Sequence, residues 1–343
     1  MKTVTVKGGD RTSRILVGES LANLARYCPA NSVIVTDERV GGLYGSIFPP
    51  FPVITIGQGE EEKTVRTVES IWERLLDLGA DRSSFLVGIG GGIVCDVTGF
   101  AASTFMRGLP FGFAASTLLA QVDASVGGKN GVNFKGYKNM AGVFAQPEFV
   151  ICDPALLNTL PPEEIQNGMA EIVKHGAISD ADYFRFIEEN ADKALDLDPD
   201  VIESLVGRSV EIKAAVVTAD EREAGERRKL NFGHTIGHAF EKVLKVSHGR
   251  AVSAGMAAAA ALSVRRGLIP QEEAARLPCL LERLGLPVAF SAEPGSIEDA
   301  LAKDKKKEGG VIHLVLLEAI GRARIEAVPV SELSAEIAAL GLF

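Results

Sequence analysis

The stretch NFGHTIGHAFEKVLKVSHG, residues 231–249, holds three of the five histidines in the chain, His234, His238 and His248. Imidazole nitrogens are the commonest protein ligands for zinc-like ions, so this clustering points to a metal site. His234 and His238 stand four apart on a segment of helical character, which places them on one face where they could chelate together. His248 follows after a short turn. A catalytic zinc site takes neutral imidazoles, often adds a carboxylate, and leaves one position open. Glu171 in GMAEIVKHGAI, Glu223 and Glu241 are all candidate carboxylates. A lone histidine is usually structural; three together, with Gly233, Gly237 and Gly249 beside them, are not explained that way. The spacing leaves open whether all three are ligands or one is kept for chemistry.

Three further segments carry charge or glycine in patterns that suit an anion. LVGIGGGIVCDVTGFAAS (86–103) reads as strand, glycine turn, helix, the layout in which free helix N–H groups face a phosphate. It departs from GxGxxG because Ile93 stands where the third glycine belongs, and a tight packed turn would show the same glycines. Residues 117–144 read as a loop that holds Asp123, Lys129, Lys135, Lys138 and Asn139 among glycines, either simply solvated or presenting ammonium groups to an anion. Arg227, Arg228 and Lys229 lie just before His234, and KDKKKEGG (303–310) precedes a strand-like VIHLVLL. Charge runs are most often solvated faces. With a net charge of −9, however, the protein as a whole repels anions, which makes local cationic clusters more informative. A metal beside arginines, in a chain that also has a nucleotide-type turn, suggests a small, anionic, oxygen-rich substrate.

The elements that would position these groups fall into two textures. SVIVTD (32–37), PVITIG (52–57), SFLVGIG (84–90) and EFVICD (148–153) are strand-like. Between the second and third, EKTVRTVESIWERLLDLG (62–79) has a helical period and ends at Gly79. Strand, helix and strand at this spacing predict a parallel sheet with crossover helices. After the Pro-punctuated PALLNTLPPEE, helical patterns dominate, among them DPDVIESLVGRSVEIKAAVV (198–217) with an Asp cap and Pro199. The reading is an α/β domain over 1–153 and a mostly α-helical domain over 154–343.

Bulk composition narrows the classes. At 343 residues two domains are expected. The acidic balance argues against nucleic-acid binding. MKTVTVKGGD alternates like a first strand and lacks the apolar core of a signal peptide. AVSAGMAAAAALSV (251–264) is too short and Ala-rich for a membrane span and reads as a closely packed buried helix. The four cysteines are scattered, with no CxxC pair, as expected of free thiols in a reducing cytoplasm.

Taken in order, GGGIVCDVTGFAAST, STLLAQVDASVGGKNGVN, KNMAGVFAQP, GMAEIVKHG, LNFGHTIGHAFE, HGRAVSAGM and the KDKK…HLVLL region resemble the 3-dehydroquinate synthase family over about residues 30–325. The combination is specific, although no single motif is. The resemblance implies an α/β N-terminal domain with a Rossmann-like parallel sheet that binds NAD, a mostly α-helical C-terminal domain that binds a catalytic divalent metal, and an active site between them. It implies zinc, with cobalt the alternative, held by Glu171, His234 and His248, which leaves His238 for proton transfer near the substrate. It places Asp37, Glu60, Lys63, Gly91, Gly92, Asp96, Ser116, Thr117 and Thr159 along the dinucleotide, together with Asp123, Lys129 and Lys138. It places Lys129, Lys138, Asn139, Lys174, Arg227, Asn231 and Lys305 on the substrate, with Asp123 beside them. It assigns Arg107 to the substrate phosphate across a homodimer interface. The activity implied is that of a cytoplasmic phosphorus–oxygen lyase acting on an anionic sugar phosphate, with no nucleic-acid or membrane partner.

Some positions depart from the family pattern. Cys95 stands where glycine is usual, Arg250 replaces a glutamate after the ligand His248, Glu163 replaces a basic or polar residue, and Ser116 replaces a threonine. Related sugar-phosphate cyclases are the nearest alternative. Among them the valiolone makers lose the second histidine of GHTIGH and the inosose makers change the residue at Asn231, and both residues are kept here. A metal-dependent polyol dehydrogenase would not need so many anion-binding lysines. A degenerate, non-catalytic NAD- and metal-binding protein would have lost a ligand.

Overall fold

The computed structural model describes residues 1–8, 11–291, 295–297, 300 and 310–340. The chain divides into two compact units. One comprises Met1–Pro161 and Ile202–Arg222, the other Pro162–Val201 and Glu223–Phe343. The sequence changes texture at residue 153, whereas the units change at Pro161.

The first unit is built on a seven-stranded sheet. In chain order its strands are β1 (Lys2–Gly8), β2 (Arg11–Val17), β3 (Ser32–Asp37), β4 (Val53–Ile56), β5 (Phe85–Gly90), β6 (Phe111–Ala115) and β9 (Phe149–Cys152); β7 (Lys129–Phe134) and β8 (Tyr137–Phe144) form a separate hairpin. The spatial order is β1-β2-β9-β6-β5-β3-β4. Only β1 pairs antiparallel, with β2; every other pairing is parallel. The inner strands are apolar along their whole length, as strands covered on both faces must be: every residue of β5, β6 and β9 is buried. Crossovers run through α1 (Glu38–Tyr44), α2 (Val65–Asp77) and α3 (Gly92–Thr104). The period read for α2 delivers Val68, Ile71 and Leu75 fully into the core, each worth on the order of 2 kcal/mol.

The segment 117–144 is not a loop. It forms a π-helical turn at Ala120–Ala124 and then the β7–β8 hairpin. The hairpin closes on Lys135–Gly136, both with positive φ (49° and 78°), which is the backbone demanded by the tightest two-residue turn. Two of the glycines that suggest a loop, Gly131 and Gly142, occupy strand positions and stand opposite each other.

In the second unit, α4 (Pro162–Ser179), α5 (Ala181–Leu195) and the start of α6 (Pro199–Ala219) are followed by α7 (His234–Leu244) and α8 (His248–Arg265). Two short helices, α9 (Gln271–Ala274) and α10 (Arg276–Arg283), precede the β10 (Val311–Ala319) and β11 (Arg322–Pro329) hairpin and α11 (Val330–Leu340). The Ala-rich run lies within α8 and is buried with Ile236, Phe240, Leu314, Leu316 and Ile337 in one cluster. Its small residues let α7 and α8 touch backbone to backbone: a Cβ at Gly255 would stand 2.0 Å from the Gly233 carbonyl, and one at Gly237 2.9 Å from that of Ala251. This close crossing fixes the two helix starts, which are His234 and His248.

Candidate metal centre and dinucleotide turn

In the second unit, Glu171 of α4 is fully buried, and its Oε1 faces Nε2 of His248 at 3.2 Å and Nε2 of His234 at 3.6 Å. These three donor atoms lie within 4.8 Å of one another. The outer nitrogens of both rings face oxygen: His234 Nδ1 lies 3.2 Å from the Phe232 carbonyl, and His248 Nδ1 faces Glu241 at 3.9 Å. Nδ1 contacts of this kind orient the rings so that Nε2 points inward, where it can ligate once any proton on it is displaced, as in metal-binding histidines. The other oxygen of Glu171 forms an ion pair with the buried Lys174 ammonium.

The electrostatics agree with a site built for a cation. Burial raises the Glu171 carboxyl, but Lys174 and the hydrogen bond from His248 overcome it and hold the carboxyl well below its usual range. Burial, reinforced by the Lys174 charge, pushes His234 well down, so its imidazole is neutral. Burial also disfavours charge on His248, but hydrogen bonds to Glu171 and Glu241 prevail and raise it to about 9. An ion would take the place of that proton. One carboxylate and two imidazoles form the donor set of a catalytic zinc-type site with room for a further ligand.

His238 lies one turn beyond His234 on α7, its ring edge-on at 5.4 Å, and is not among the three clustered donors. The remaining candidate carboxylates have other tasks. Glu241 backs His248, and Glu223 accepts a hydrogen bond from the Asn231 amide. Arg227 is buried in the 3-10 turn Glu226–Asn231. Lys305 falls outside the described residues.

In the first unit the glycine turn sits where β5 meets α3, at the carboxyl end of a central strand, the usual ligand edge of an open α/β sheet. Gly91 caps α3 without a side chain, and Gly92 opens the helix. Ser116 is buried and its N–H donates to the Gly90 carbonyl; Thr117 accepts from the Ala120 N–H through its hydroxyl. Asp96, on the first turns of α3, is ion-paired with the buried Lys63. Burial raises the Asp96 carboxyl to about 6 despite the attraction of Lys63. The β7–β8 hairpin closes this corner: the Asn133 N–H donates to the Lys63 carbonyl, and its amide donates to Glu60 at 2.8 Å. Asn139 has φ +52°, and its N–H donates to the Asn133 side chain. Lys129 and Lys138 lie exposed on the two strands.

Three further residues of the expected set lie in the same unit. Asp37 caps α1, accepting from the Val40 N–H at 2.8 Å. The Thr159 hydroxyl pairs with Tyr44 at 2.7 Å. Arg107 is exposed, and both it and Met106 have positive φ, a strained pair for residues with side chains.

One buried cation escaped the sequence reading. Lys213 of α6 is 6% exposed and donates to the Asp123 carbonyl at 2.6 Å and to its carboxylate at 2.5 Å. It sits in EIKAAVV, an ordinary amphipathic helix by pattern. Only the fold shows that α6 turns this lysine inward.

Comparison with known proteins agrees across the chain. Family models for the 3-dehydroquinate synthase N-terminal and C-terminal regions match residues 53–167 and 168–307. A 3-dehydroquinate synthase of Halorhodospira halophila is 41% identical over 335 residues, covering 94% of this chain and 95% of that one. A 2-deoxy-scyllo-inosose synthase solved with carbaglucose-6-phosphate, NAD+ and Co2+ superposes with TM-score 0.87 at 27% identity, over 98% of this chain and 99% of that one. A 2-epi-5-epi-valiolone synthase of Streptomyces hygroscopicus subsp. jinggangensis, with NAD+ and Zn2+ bound, gives 0.88 at 27%, over 99% of each.

Proposed function

The chain belongs to the 3-dehydroquinate synthase family, and on that premise we propose how its residues divide the work. The activity is that of a phosphorus–oxygen lyase at the second step of the shikimate pathway. 3-Deoxy-D-arabino-heptulosonate 7-phosphate becomes 3-dehydroquinate and phosphate by transient NAD-dependent oxidation at C5, β-elimination, re-reduction, ring opening and an intramolecular aldol reaction. The cofactors are NAD and a divalent metal.

The observation that carries the assignment of residues is the convergence of Glu171, His234 and His248, with Lys174 on the far oxygen of the carboxylate. These three residues hold the ion, zinc in preference to cobalt. When bound, the ion supplies Lewis-acid polarisation of the C5 hydroxyl, and the dinucleotide supplies the hydride acceptor and donor. His238 transfers protons beside the ligand His234. Lys129, Lys138, Asn139, Lys174, Arg227, Asn231 and Lys305 hold the carboxylate and phosphate of the substrate, which is positioning and electrostatics rather than covalent catalysis. Asp123, itself held by Lys213, lies on both the nicotinamide and the substrate side. Asp37, Glu60, Lys63, Gly91, Gly92, Asp96, Ser116, Thr117 and Thr159 line the dinucleotide.

Arg107 serves the phosphate of a partner subunit in a homodimer. Its exposure and its strained backbone fit a residue held outward for a contact beyond its own chain. R107A should weaken binding of substrate phosphate, and full activity of that variant at low substrate would exclude the shared site. The enzyme works in the cytoplasm, on a small anionic substrate, without nucleic acid. Among the described residues no helix is long and apolar enough to cross a membrane.

The test of function is phosphate release and 3-dehydroquinate formation by the purified protein with NAD, a divalent metal and the heptulosonate phosphate, with sedoheptulose 7-phosphate in parallel. Stoichiometric dehydroquinate without accumulated NADH is expected. Turnover of sedoheptulose 7-phosphate alone would move the chain to the neighbouring cyclases, and net NADH from a simple polyol would move it to the dehydrogenases.

A further inference from the structure

The two residues that flank His248 in sequence are both fastened to one oxygen on another helix. Asn167 of α4 is buried, and its side-chain Oδ1 accepts from the Ser247 hydroxyl at 2.9 Å and from the Gly249 N–H at 3.1 Å. Ser247 is the N-cap of α8 but makes no capping hydrogen bond of its own. Asn167 therefore does from α4 what a cap residue ordinarily does within its own helix, accepting from the second residue of the first turn. Gly249 makes this possible, because a Cβ there would stand 2.5 Å from the Asn167 Cα. Asn167 precedes Glu171 by four residues on α4, so the clasp and the carboxylate lie on one face of the same helix, one turn apart. His248 leaves α8 between the two fastened residues and meets Glu171 at 3.2 Å.

We propose that Asn167 is a positioning residue for the metal centre: its Oδ1 sets the His248 imidazole against the Glu171 carboxylate and so sets how tightly the ion is held. This rests on the reading that Glu171, His234 and His248 are the ligands. The clasp does not touch the ion or the substrate and acts only through the ligand geometry.

The test is zinc affinity, by competition with a chromophoric chelator, for the full-length wild-type protein and the variants N167A, N167D and S247A, with H248A as the control for the centre itself. Loss of partners outside a metal's ligands typically weakens binding roughly 10- to 100-fold, and that is the loss expected for N167A. N167D keeps an acceptor at the helix start and should recover most of the affinity. S247A removes one of the two bonds and should fall between wild type and N167A, which keeps the inference testable if N167A fails to fold. An N167A protein with a lower melting temperature but wild-type zinc affinity would show a merely structural residue and overturn the proposal. H248A binding zinc as tightly as wild type would remove the metal reading itself, and the clasp with it.

Discussion

Nε2 of His248 lies 3.2 Å from Oε1 of Glu171, while the other oxygen of that carboxylate is ion-paired with Lys174. A fully buried carboxylate needs a counter-charge, and here two can share it: the ammonium on one oxygen and an ion between the histidines on the other. Removing one partner of a buried pair costs about 3–5 kcal/mol when nothing replaces it. In metal-free K174M the His248 imidazolium is the carboxylate's remaining counter-charge, so the variant should lose stability in both forms, and more without zinc than with it. The gap in melting temperature between EDTA and zinc should widen in K174M relative to wild type. An equal gap in both proteins would mean that the ion does not meet Glu171.

Lys213 and Asp123 form a second buried pair, with the lysine almost enclosed and the carboxylate partly so. Their coupling should be visible in a double-mutant cycle of urea unfolding with K213M, D123N and the double variant. A coupling of at least about 1 kcal/mol is expected for groups in one hydrogen-bonded pair. Additive losses would show that the lysine holds some other group. K213M should also lower activity by loosening Asp123, whereas a surface lysine such as Lys242 changed to Met should not.

Much of this arrangement was legible in the residues, for reasons that differ from place to place. The helical period of 62–79 survives in α2 because its apolar face is one-sided. The run 251–264 announces burial because it lacks charge, and α8 is buried along it. Strands β2 and β6 carry little pattern in the sequence. RTSRILV is charged at its outer end, and FGFAA is too short and glycine-broken to carry a period. The β7–β8 hairpin hides behind its own glycines. At the metal centre, the spacing of His234 and His238 suggests chelation along one helix. The cluster instead forms across three helices, because α7 and α8 cross at glycines and bring their first residues together. Sequence neighbours share a face, but only packing brings Glu171 to that face. Asn167 and Lys213 gave no signal at all, since a polar residue turned inward looks like one turned outward until the helix is docked.

The four thiols should react very differently. Cys95 and Cys152 are buried and their thiols are pushed up by desolvation. Cys28 is half-buried, and burial raises it to about 12 despite a hydrogen bond with Ser32. Cys279 is exposed. Since the thiolate is the reactive form, Ellman's reagent at pH 8 should label the native protein quickly at Cys279 alone. The other three should appear only on unfolding, with peptide mapping to identify the site. Rapid labelling of Cys95 would mean that the turn after β5 opens in solution.

Asp96 gives the protein a pH dependence whose sign can be stated. Burial raises its carboxyl from 3.8 to about 6 in the folded state, with Lys63 opposing the rise. The folded protein then binds this proton more tightly than the unfolded chain does. The resulting stability is fully present below about pH 4 and is lost as the pH rises through 6. A tenfold difference in proton affinity is worth about 1.36 kcal/mol, so the loss is on the order of 2–3 kcal/mol. D96N lacks this titration. The unfolding free energy of wild type minus that of D96N, followed from pH 4 to pH 7 without dinucleotide, should fall by that amount. A flat difference would show that Lys63 fully compensates the burial. A difference that rises with pH would show that the ion pair dominates and that the carboxyl is depressed instead.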